Sequence, residues 1–137
     1  MSTTQPIRSK QLLHDFKEYF LTKQPNSRNY TLILIGLNTA LRINDILHLT
    51  WGDVYCTEHS RFYTHLLITE KKTEKETRIL INRELQETLL SYRKTQPSIA
   101  DTDYLFPSPR KTGSPLSRYQ ASRIVRKAAD AVGIDVV

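Results

Sequence analysis

The segment GLNTALRINDILHLTW, residues 36–51, contains one arginine, Arg42, in a helical run of mostly apolar residues. A guanidinium stays protonated at every working pH, so it must either bind an anion or face water. Its planar fork donates two hydrogen bonds at once, which suits a carboxylate or a phosphate. Asp45 follows one helical turn later, where its carboxylate can orient the guanidinium or simply pair with it. The pattern therefore predicts an oxyanion-binding arginine, with a structural ion pair to Asp45 as the alternative.

Two groups of basic residues indicate a polyanionic partner. The chain carries a net charge of +6 and has a pI of about 9.5. No acidic residue occurs between residues 104 and 129, where the first group consists of Arg110, Lys111, Arg118, Arg123, Arg126 and Lys127. The second group is mixed with acidic residues around the turn EKKTEKETR and consists of Lys71, Lys72, Lys75 and Arg78. Such charge favours nucleic acid, although a solvated basic surface without a ligand is the alternative.

Composition excludes several classes of protein. With 137 residues, of which 39% are hydrophobic and 25% charged, the chain fits one globular domain. The single cysteine, Cys56, cannot form an internal disulfide, which favours a cytoplasmic location. No apolar run approaches the roughly 20 residues of a membrane span. We expect no metal and no nucleotide cofactor, because neither a clustered ligand set nor a G-x-x-x-x-G-K-[ST] loop occurs.

The elements that would position these residues form a single α+β domain over residues 1–137, mainly α-helical with a small antiparallel β-hairpin. The predicted elements are a helix over 9–23 capped by Ser9, buried helices over 29–49, a β-hairpin over 61–82, a helix over 83–96 capped by Asn82, and a basic helix over 117–132. The charged turn of the hairpin lacks an Asn-Gly or Asp-Gly pair, so we expect a longer, mobile loop.

The last helix has the clearest pattern. Ser117 is its predicted N-cap and Gly133 its end. Apolar residues fill one side, and the opposite side carries Arg118, Ser122, Arg123, Arg126 and Lys127. We therefore expect this helix to pack by its apolar face and to offer its basic face to solvent or to a phosphate backbone.

The segment TALRINDILHLTWGDV resembles the first catalytic box of the tyrosine recombinases, the phage integrase family, T-G-L-R-[IPG]-x-[ED]-[IL]-x-x-L-x-W-x-D-[IV]. The matching residues are Thr39, Leu41, Arg42, Asp45, Ile46, Leu49, Trp51, Asp53 and Val54. Ala40 stands where glycine is common, and we expect little harm from it. KKTEKETRILI is similar to the family's hairpin segment, with Asn82 near the place of a usual proline. The segment from DYLFP to AVGI is similar to the strand and helix before the next catalytic box. The resemblance runs from about Tyr30 to the C-terminus and implies an integrase-like catalytic core fragment.

The resemblance implies roles for individual residues. Arg42 would contact the non-bridging oxygens of the scissile DNA phosphate, supported by Asp45. Lys72 would protonate the departing 5′ oxygen, with Lys71 as its rival. The residues expected to bind DNA are Lys71, Lys75, Arg78, Arg118, Arg123, Arg126 and Lys127. The implied partners are double-stranded DNA and further copies of the same protein assembled on it.

The family's chemistry also requires an H-x-x-R box and a tyrosine that forms a 3′-phosphotyrosyl intermediate. None of the four histidines is followed three residues later by arginine. The tyrosines lie upstream of the place where that box would occur, so no nucleophile role is assigned to Tyr92, Tyr104 or Tyr119. Without a nucleophile, covalent catalysis fails. We therefore expect an inactive piece of a recombinase, which also lacks a separate core-binding domain.

Three functions remain open at this point. The first is site-specific DNA integration or recombination by strand cleavage and rejoining. The second is a non-catalytic DNA-binding module that uses the basic helix. The third is a helical interaction domain whose basic face meets an acidic protein partner.

Overall fold

The protein is mainly helical with two small antiparallel sheets, which confirms the predicted fold class. The computed structural model describes residues 10–69 and 73–134. The helices are α1 Lys10–Glu18, α2 Ser27–Thr39, α3 Ile43–Leu47, α4 Trp51–Val54, α5 Arg83–Lys94 and α6 Arg118–Val132. The strands are β1 Tyr55–Cys56, β2 Arg61–Phe62, β3 His65–Thr69 and β4 Glu76–Leu80. No helix in these ranges is both long and apolar enough to span a membrane.

Helix α2 is the central layer of the fold because apolar side chains surround it. Asn26 caps its start by accepting a hydrogen bond from the Asn29 backbone N–H at 3.0 Å. Leu34 and its neighbours pack in the main hydrophobic core, which α5 also enters. Ile33 points into a second cluster with α1 and α6. Burial on both sides explains why this segment lacks the polar face of a surface helix.

Helix α6 begins and ends at the residues that its sequence indicates. Ser117 and Gln120 form a capping box at its start, and Gly133 has a left-handed φ of 81° at its end. Ala128 and Ala129 are buried, whereas Ala131 is exposed. These small side chains let α6 approach Phe16, Phe20 and Ile33 closely. The basic outer face of α6 is thereby directed away from the core.

The N-terminal helix is less regular than predicted. The sequence predicts one regular helix over residues 9–23. The structure instead has α1, which is followed by a single π-helical turn, Tyr19–Lys23. Phe16 and Phe20 are both buried, and Phe20 belongs to the wider π-helical turn. Ser9, the predicted cap, lies outside the described residues.

The predicted hairpin over 61–82 is wrong in its first residues. Strand β2 pairs with β1, whereas β3 pairs with β4 in the register His65↔Leu80 to Thr69↔Glu76. The chain changes partner between these pairs because the Tyr63 N–H bonds the Val54 carbonyl and the Ile81 N–H bonds the Thr64 carbonyl, each at 2.8 Å. The register leaves residues 70–75 between β3 and β4, which is longer than a tight two-residue turn.

Helix α5 packs against α2 through the residues predicted for its inner face. Leu85, Leu89 and Tyr92 are buried, and the Asn82 side chain caps the start at 2.9 Å from the Leu85 N–H. The helix ends at Lys94 rather than at 96, because the Thr95 hydroxyl bonds the Tyr92 carbonyl. The Tyr92 hydroxyl donates to the Leu105 carbonyl and so joins α5 to the segment after it.

Candidate nucleic-acid interface

Arg42 does not lie inside a helix, as the apolar run had suggested. Helix α2 ends at Thr39, and Arg42 has the extended conformation φ −67°, ψ 147° as the residue that precedes α3. Its side chain is exposed. The break lets the chain keep its apolar residues buried while the guanidinium leaves the apolar layer, which avoids the cost of desolvating the charge. Arg42 is therefore presented to solvent at the junction of two buried helices.

The break depends on Ala40, which has a left-handed φ of 55°. Its N–H still bonds the Gly36 carbonyl at 3.3 Å, and the Thr39 hydroxyl bonds both the Ile35 carbonyl and the Leu41 N–H. An L-residue with a Cβ is strained in this region by about 1–2 kcal/mol, and glycine is not. We therefore expect alanine at this position to cost about 1–2 kcal/mol relative to an unstrained residue, more than its sequence resemblance alone implied.

Asp45 is joined to Arg42 through the backbone. The Asp45 N–H bonds the Arg42 carbonyl at 3.0 Å, within the first turn of α3. The ion pairs among residues 10–69 and 73–134 are Lys17–Glu84 and Arg83–Glu87, so the two side chains form no pair in this structure. Neither the structural ion pair nor the predicted orienting contact is formed here.

Other residues of the box hold the segment after α3 in place. Trp51 is buried against the Tyr92 ring, with ring centroids 5.6 Å apart. The Asp53 carboxylate accepts a hydrogen bond from the Thr50 N–H at 2.8 Å and completes a capping box at α4. Arg93, which the sequence analysis did not select, lies with its guanidinium 5.3 Å from the Trp51 ring centroid. Trp51 and Asp53 therefore have structural contacts that hold the segment after α3 against α5 and cap α4.

An amide pair links the hairpin to the end of α2. The Asn82 side-chain nitrogen donates to the Asn38 oxygen at 2.6 Å, and the Asn38 nitrogen donates to the Leu34 carbonyl at 2.9 Å. Asn82 follows β4 closely, and Asn38 precedes Arg42 by four residues. The pair therefore connects the strands that flank the lysine turn with the helix that leads to Arg42. Sequence patterns gave no signal for this contact across 44 residues.

Lys71 and Lys72 lie outside the described residues. Lys75 and Arg78, which follow them, are exposed. Arg78 pairs across the sheet with Leu67, which is itself exposed. The hairpin thus presents two basic side chains to solvent, Lys75 just before β4 and Arg78 on it.

The basic residues of α6 are all exposed. Arg118, Arg123, Arg126 and Lys127 project from the outer side of the helix. Three of them, Arg123, Arg126 and Lys127, line a groove beside the start of α2, whereas Arg118 does not. The Arg123 guanidinium lies 5.7 Å from the ring centroid of Tyr119. Three of the four cations predicted for the basic face of α6 therefore line one groove.

The tyrosines of the described chain differ in access. Tyr92 is buried, and burial raises the pKa of its hydroxyl to about 12. Tyr119 is 71% exposed on α6. A buried phenol that donates to a backbone carbonyl has a structural role, so its geometry gives no reason to assign Tyr92 as a nucleophile. No group of three metal-ligating side chains occurs in the two described ranges.

Comparisons with known proteins identify related sequences. A family model described as "Phage integrase family" matches residues 5–137. The "Probable integrase/recombinase YoeC" of Bacillus subtilis (strain 168) is 42% identical over 137 residues, which is the whole of this chain and 69% of that protein.

Solved structures share the fold at lower sequence identity. A crystal structure of XerA recombinase matches 97% of this chain with a TM-score of 0.72 and 21% identity. A lambda integrase dimer bound to a COC′ core site matches 97% with a TM-score of 0.59 and 17% identity. The Tn1549 transposon integrase in complex with circular intermediate DNA matches 93% with a TM-score of 0.59 and 21% identity. The chain spans 46–47% of each of these structures' chains.

Proposed function

Because this chain belongs to the phage integrase family, we propose that it takes part in site-specific DNA recombination by cleavage and rejoining of DNA strands. The observation that carries the proposal is the family match over residues 5–137, which includes an exposed arginine, Arg42, where the family's first catalytic box has one. Two of the structural relatives are bound to DNA, which supports double-stranded DNA as the partner. A cytoplasmic location belongs to the same proposal, because the DNA to be recombined lies there.

In this proposal Arg42 binds the non-bridging oxygens of the scissile phosphate. Its exposure at the junction of α2 and α3 leaves the guanidinium free to accept an incoming phosphodiester. Two parallel N–H donors match two phosphoryl oxygens. Negative charge builds on those oxygens during attack, and a cation already in place stabilises it without reorganisation. Asp45 would orient the guanidinium when DNA is bound.

The second catalytic role is proposed for Lys72 as the general acid that protonates the departing 5′ oxygen, with Lys71 as the alternative. The flanking strands support this role, because Asn82 at the end of the hairpin is tied to Asn38 on the helix that leads to Arg42. Lys75 and Arg78 would hold the DNA backbone beside the turn. In a longer form of the protein that cleaves DNA, comparing Lys71→Ala with Lys72→Ala decides between the two lysines, and equal loss of cleavage in both would contradict a single general acid.

We further propose that the nucleophilic tyrosine belongs to polypeptide outside these 137 residues. The sequence has no H-x-x-R box, and the chain spans less than half of the solved relatives' chains. The isolated chain would then bind duplex DNA without cleaving it. In the intact protein a 3′-phosphotyrosyl intermediate would form, and several copies would assemble on the DNA.

A second candidate is a DNA-binding module without catalytic activity. The exposed basic side chains of α6 favour it, together with the missing H-x-x-R box. It predicts the same binding by the isolated chain but no cleavage in any longer form of the protein.

Duplex binding at increasing salt tests the shared part of both candidates. We expect log affinity to fall linearly with log salt concentration, with a slope of about −0.9 for each phosphate contacted. The measurement is fluorescence anisotropy of a labelled duplex titrated with this chain. Absence of binding even at low salt would contradict the DNA proposal and favour the acidic protein partner.

A further inference from the structure

A basic groove lies between α6 and the start of α2, at the opposite end of α2 from Arg42. Its volume is about 640 Å³. Four cationic side chains and one carboxylate line it: Arg28, Arg123, Arg126, Lys127 and Asp130. This excess of positive charge in a concave surface raises the local concentration of anions.

Arg28 is the member of the groove that sequence analysis did not select. It is half-buried, and its Nε donates to the Asn29 side-chain oxygen at 2.9 Å. The Asn29 backbone N–H in turn donates to the Asn26 side-chain oxygen at 3.0 Å, which fixes the backbone that carries this amide. No carboxylate pairs with Arg28 among the residues that the structure describes. A partly desolvated guanidinium that donates its Nε–H to a neutral amide retains further N–H donors for an anion.

Apolar side chains in the groove strengthen the electrostatic attraction between its cations and an anionic ligand. Phe20, Leu116 and Ile124 form its apolar floor. Charges beside a low-dielectric wall are screened less than charges on an open surface. Arg123 and Lys127 are one helical turn apart on α6, with Arg126 between them in sequence. The cations thus form a row, which suits an extended polyanion better than a single small ion.

The groove is separate from the site assigned to Arg42. Arg28 lies in the first turn of α2, and the 11 residues from it to Thr39 correspond to roughly 17 Å of helix axis. On the other flank of α6, Val125 lines an apolar pocket with Leu41 and Ile43, the neighbours of Arg42. Helix α6 therefore separates an apolar pocket near Arg42 from a basic groove near Arg28.

We propose that the groove of Arg28, Arg123, Arg126 and Lys127 binds the phosphate backbone of nucleic acid at a second position, distinct from the phosphate assigned to Arg42. The inference rests on the proposed function, because the ligand is the same kind of DNA. Guanidinium groups supply three of the four cations, and their planar forks fit phosphate oxygens. The exposed Tyr119 beside Arg123 adds an aromatic face at the edge of this basic surface.

The test compares groove variants with matched controls in duplex binding. Arg28→Gln and Lys127→Gln each remove one groove cation, whereas Arg61→Gln and Lys94→Gln remove exposed cations that do not line the groove. We expect each groove variant to reduce the magnitude of the salt slope by about 0.9 and to weaken low-salt affinity roughly 3–10-fold. The controls should keep the wild-type slope. Lys127 is exposed, so its variant stays informative if the half-buried Arg28 proves necessary for folding.

The possible results separate this inference from the proposed function. Wild-type binding with unchanged slopes in both groove variants would overturn the groove site and leave DNA binding intact. No wild-type binding at low salt would overturn both. A labelled oligoglutamate peptide provides the remaining comparison. If the groove variants weaken binding of the peptide and not of the duplex, the groove is a protein site and the inference is wrong.

Discussion

Ala40 ends helix α2 two residues before Arg42, so that the Arg42 side chain is exposed. Its left-handed backbone ends α2 and directs the chain outward before α3 begins. The sequence predicts more than one buried helix over residues 29–49, but not a left-handed residue at Ala40, because alanine is a strong helix former and the apolar pattern continues through it. The termination is imposed by the surrounding fold, which buries Ile35 on one side of the break and Ile46 on the other. The strained backbone of Ala40, next to the candidate site, therefore lowers the stability of the folded protein.

Replacing Ala40 with glycine should stabilise the protein. We expect Ala40→Gly to raise the free energy of unfolding by about 1 kcal/mol, because glycine adopts the left-handed region without strain. Urea denaturation measures the change. Ala131→Gly is the matched control, since Ala131 is exposed in the last turn of α6, where its backbone is helical, and its replacement should cost at most about 0.5–1 kcal/mol. Equal destabilisation by both substitutions would contradict the strain at Ala40.

We expect the free energy of unfolding to fall at alkaline pH because of Tyr92. Burial raises the pKa of Tyr92 in the folded protein to about 12, above the ordinary value of about 10 for an unfolded chain. The unfolded chain therefore loses its proton first. The contribution of Tyr92 is fully present below about pH 10 and is lost as the pH rises toward about 12.

The Tyr92→Phe variant tests this account of the alkaline limit. It should be less stable at neutral pH by about 1–2 kcal/mol, because the buried Leu105 carbonyl loses its donor. It should also lose stability less steeply than wild type above pH 10. Urea denaturation across this pH range measures both effects, and parallel curves for the two proteins would exclude Tyr92 as the cause.

At the scale of elements, the amide pair Asn38–Asn82 makes the hairpin and the end of α2 one unit. Asn38→Ala leaves the Asn82 cap of α5 intact and removes the link together with the Asn38 bond to the Leu34 carbonyl. We expect faster hydrogen exchange of β3 and β4 amides, with α5 amides unchanged. Asn38→Asp, which keeps an acceptor oxygen, should preserve the hairpin protection. Unaltered exchange in the alanine variant would mean that the link does not stabilise the hairpin.

The elements differ in how far their sequences determine them. Helix α6 was predictable because Ser117, the helical periodicity and Gly133 all act locally. The separate pairing of β2 with β1 was not predictable. Strand β1 has only two residues, which is too short to show the alternation of polar and apolar residues that marks a strand. Arg28 was not predicted as a binding residue either. Its neighbours in the groove come from α6, about a hundred residues later, and only packing brings them together.

At the scale of the whole molecule, α2 organises the candidate functional surfaces. Arg42 follows its C-terminal end, Asn38 links it to the hairpin, and Arg28 lies at its start. Burial of the middle of α2 in two hydrophobic clusters makes it a rigid spacer between these positions. A rigid spacer would hold the two proposed phosphate-binding positions at a fixed separation, so that a bound duplex would have one orientation.

The most direct measurement concerns Arg42→Lys in a longer form of the protein that includes the proposed nucleophile. Lysine keeps the charge and loses the two-pronged donor, so DNA affinity should stay within about threefold of wild type. Covalent protein–DNA adduct formation on a nicked duplex should slow by at least about 10²–10³-fold, because charge on the phosphoryl oxygens is no longer stabilised in the transition state. Adduct formation at the wild-type rate would contradict the assignment of Arg42 to the scissile phosphate.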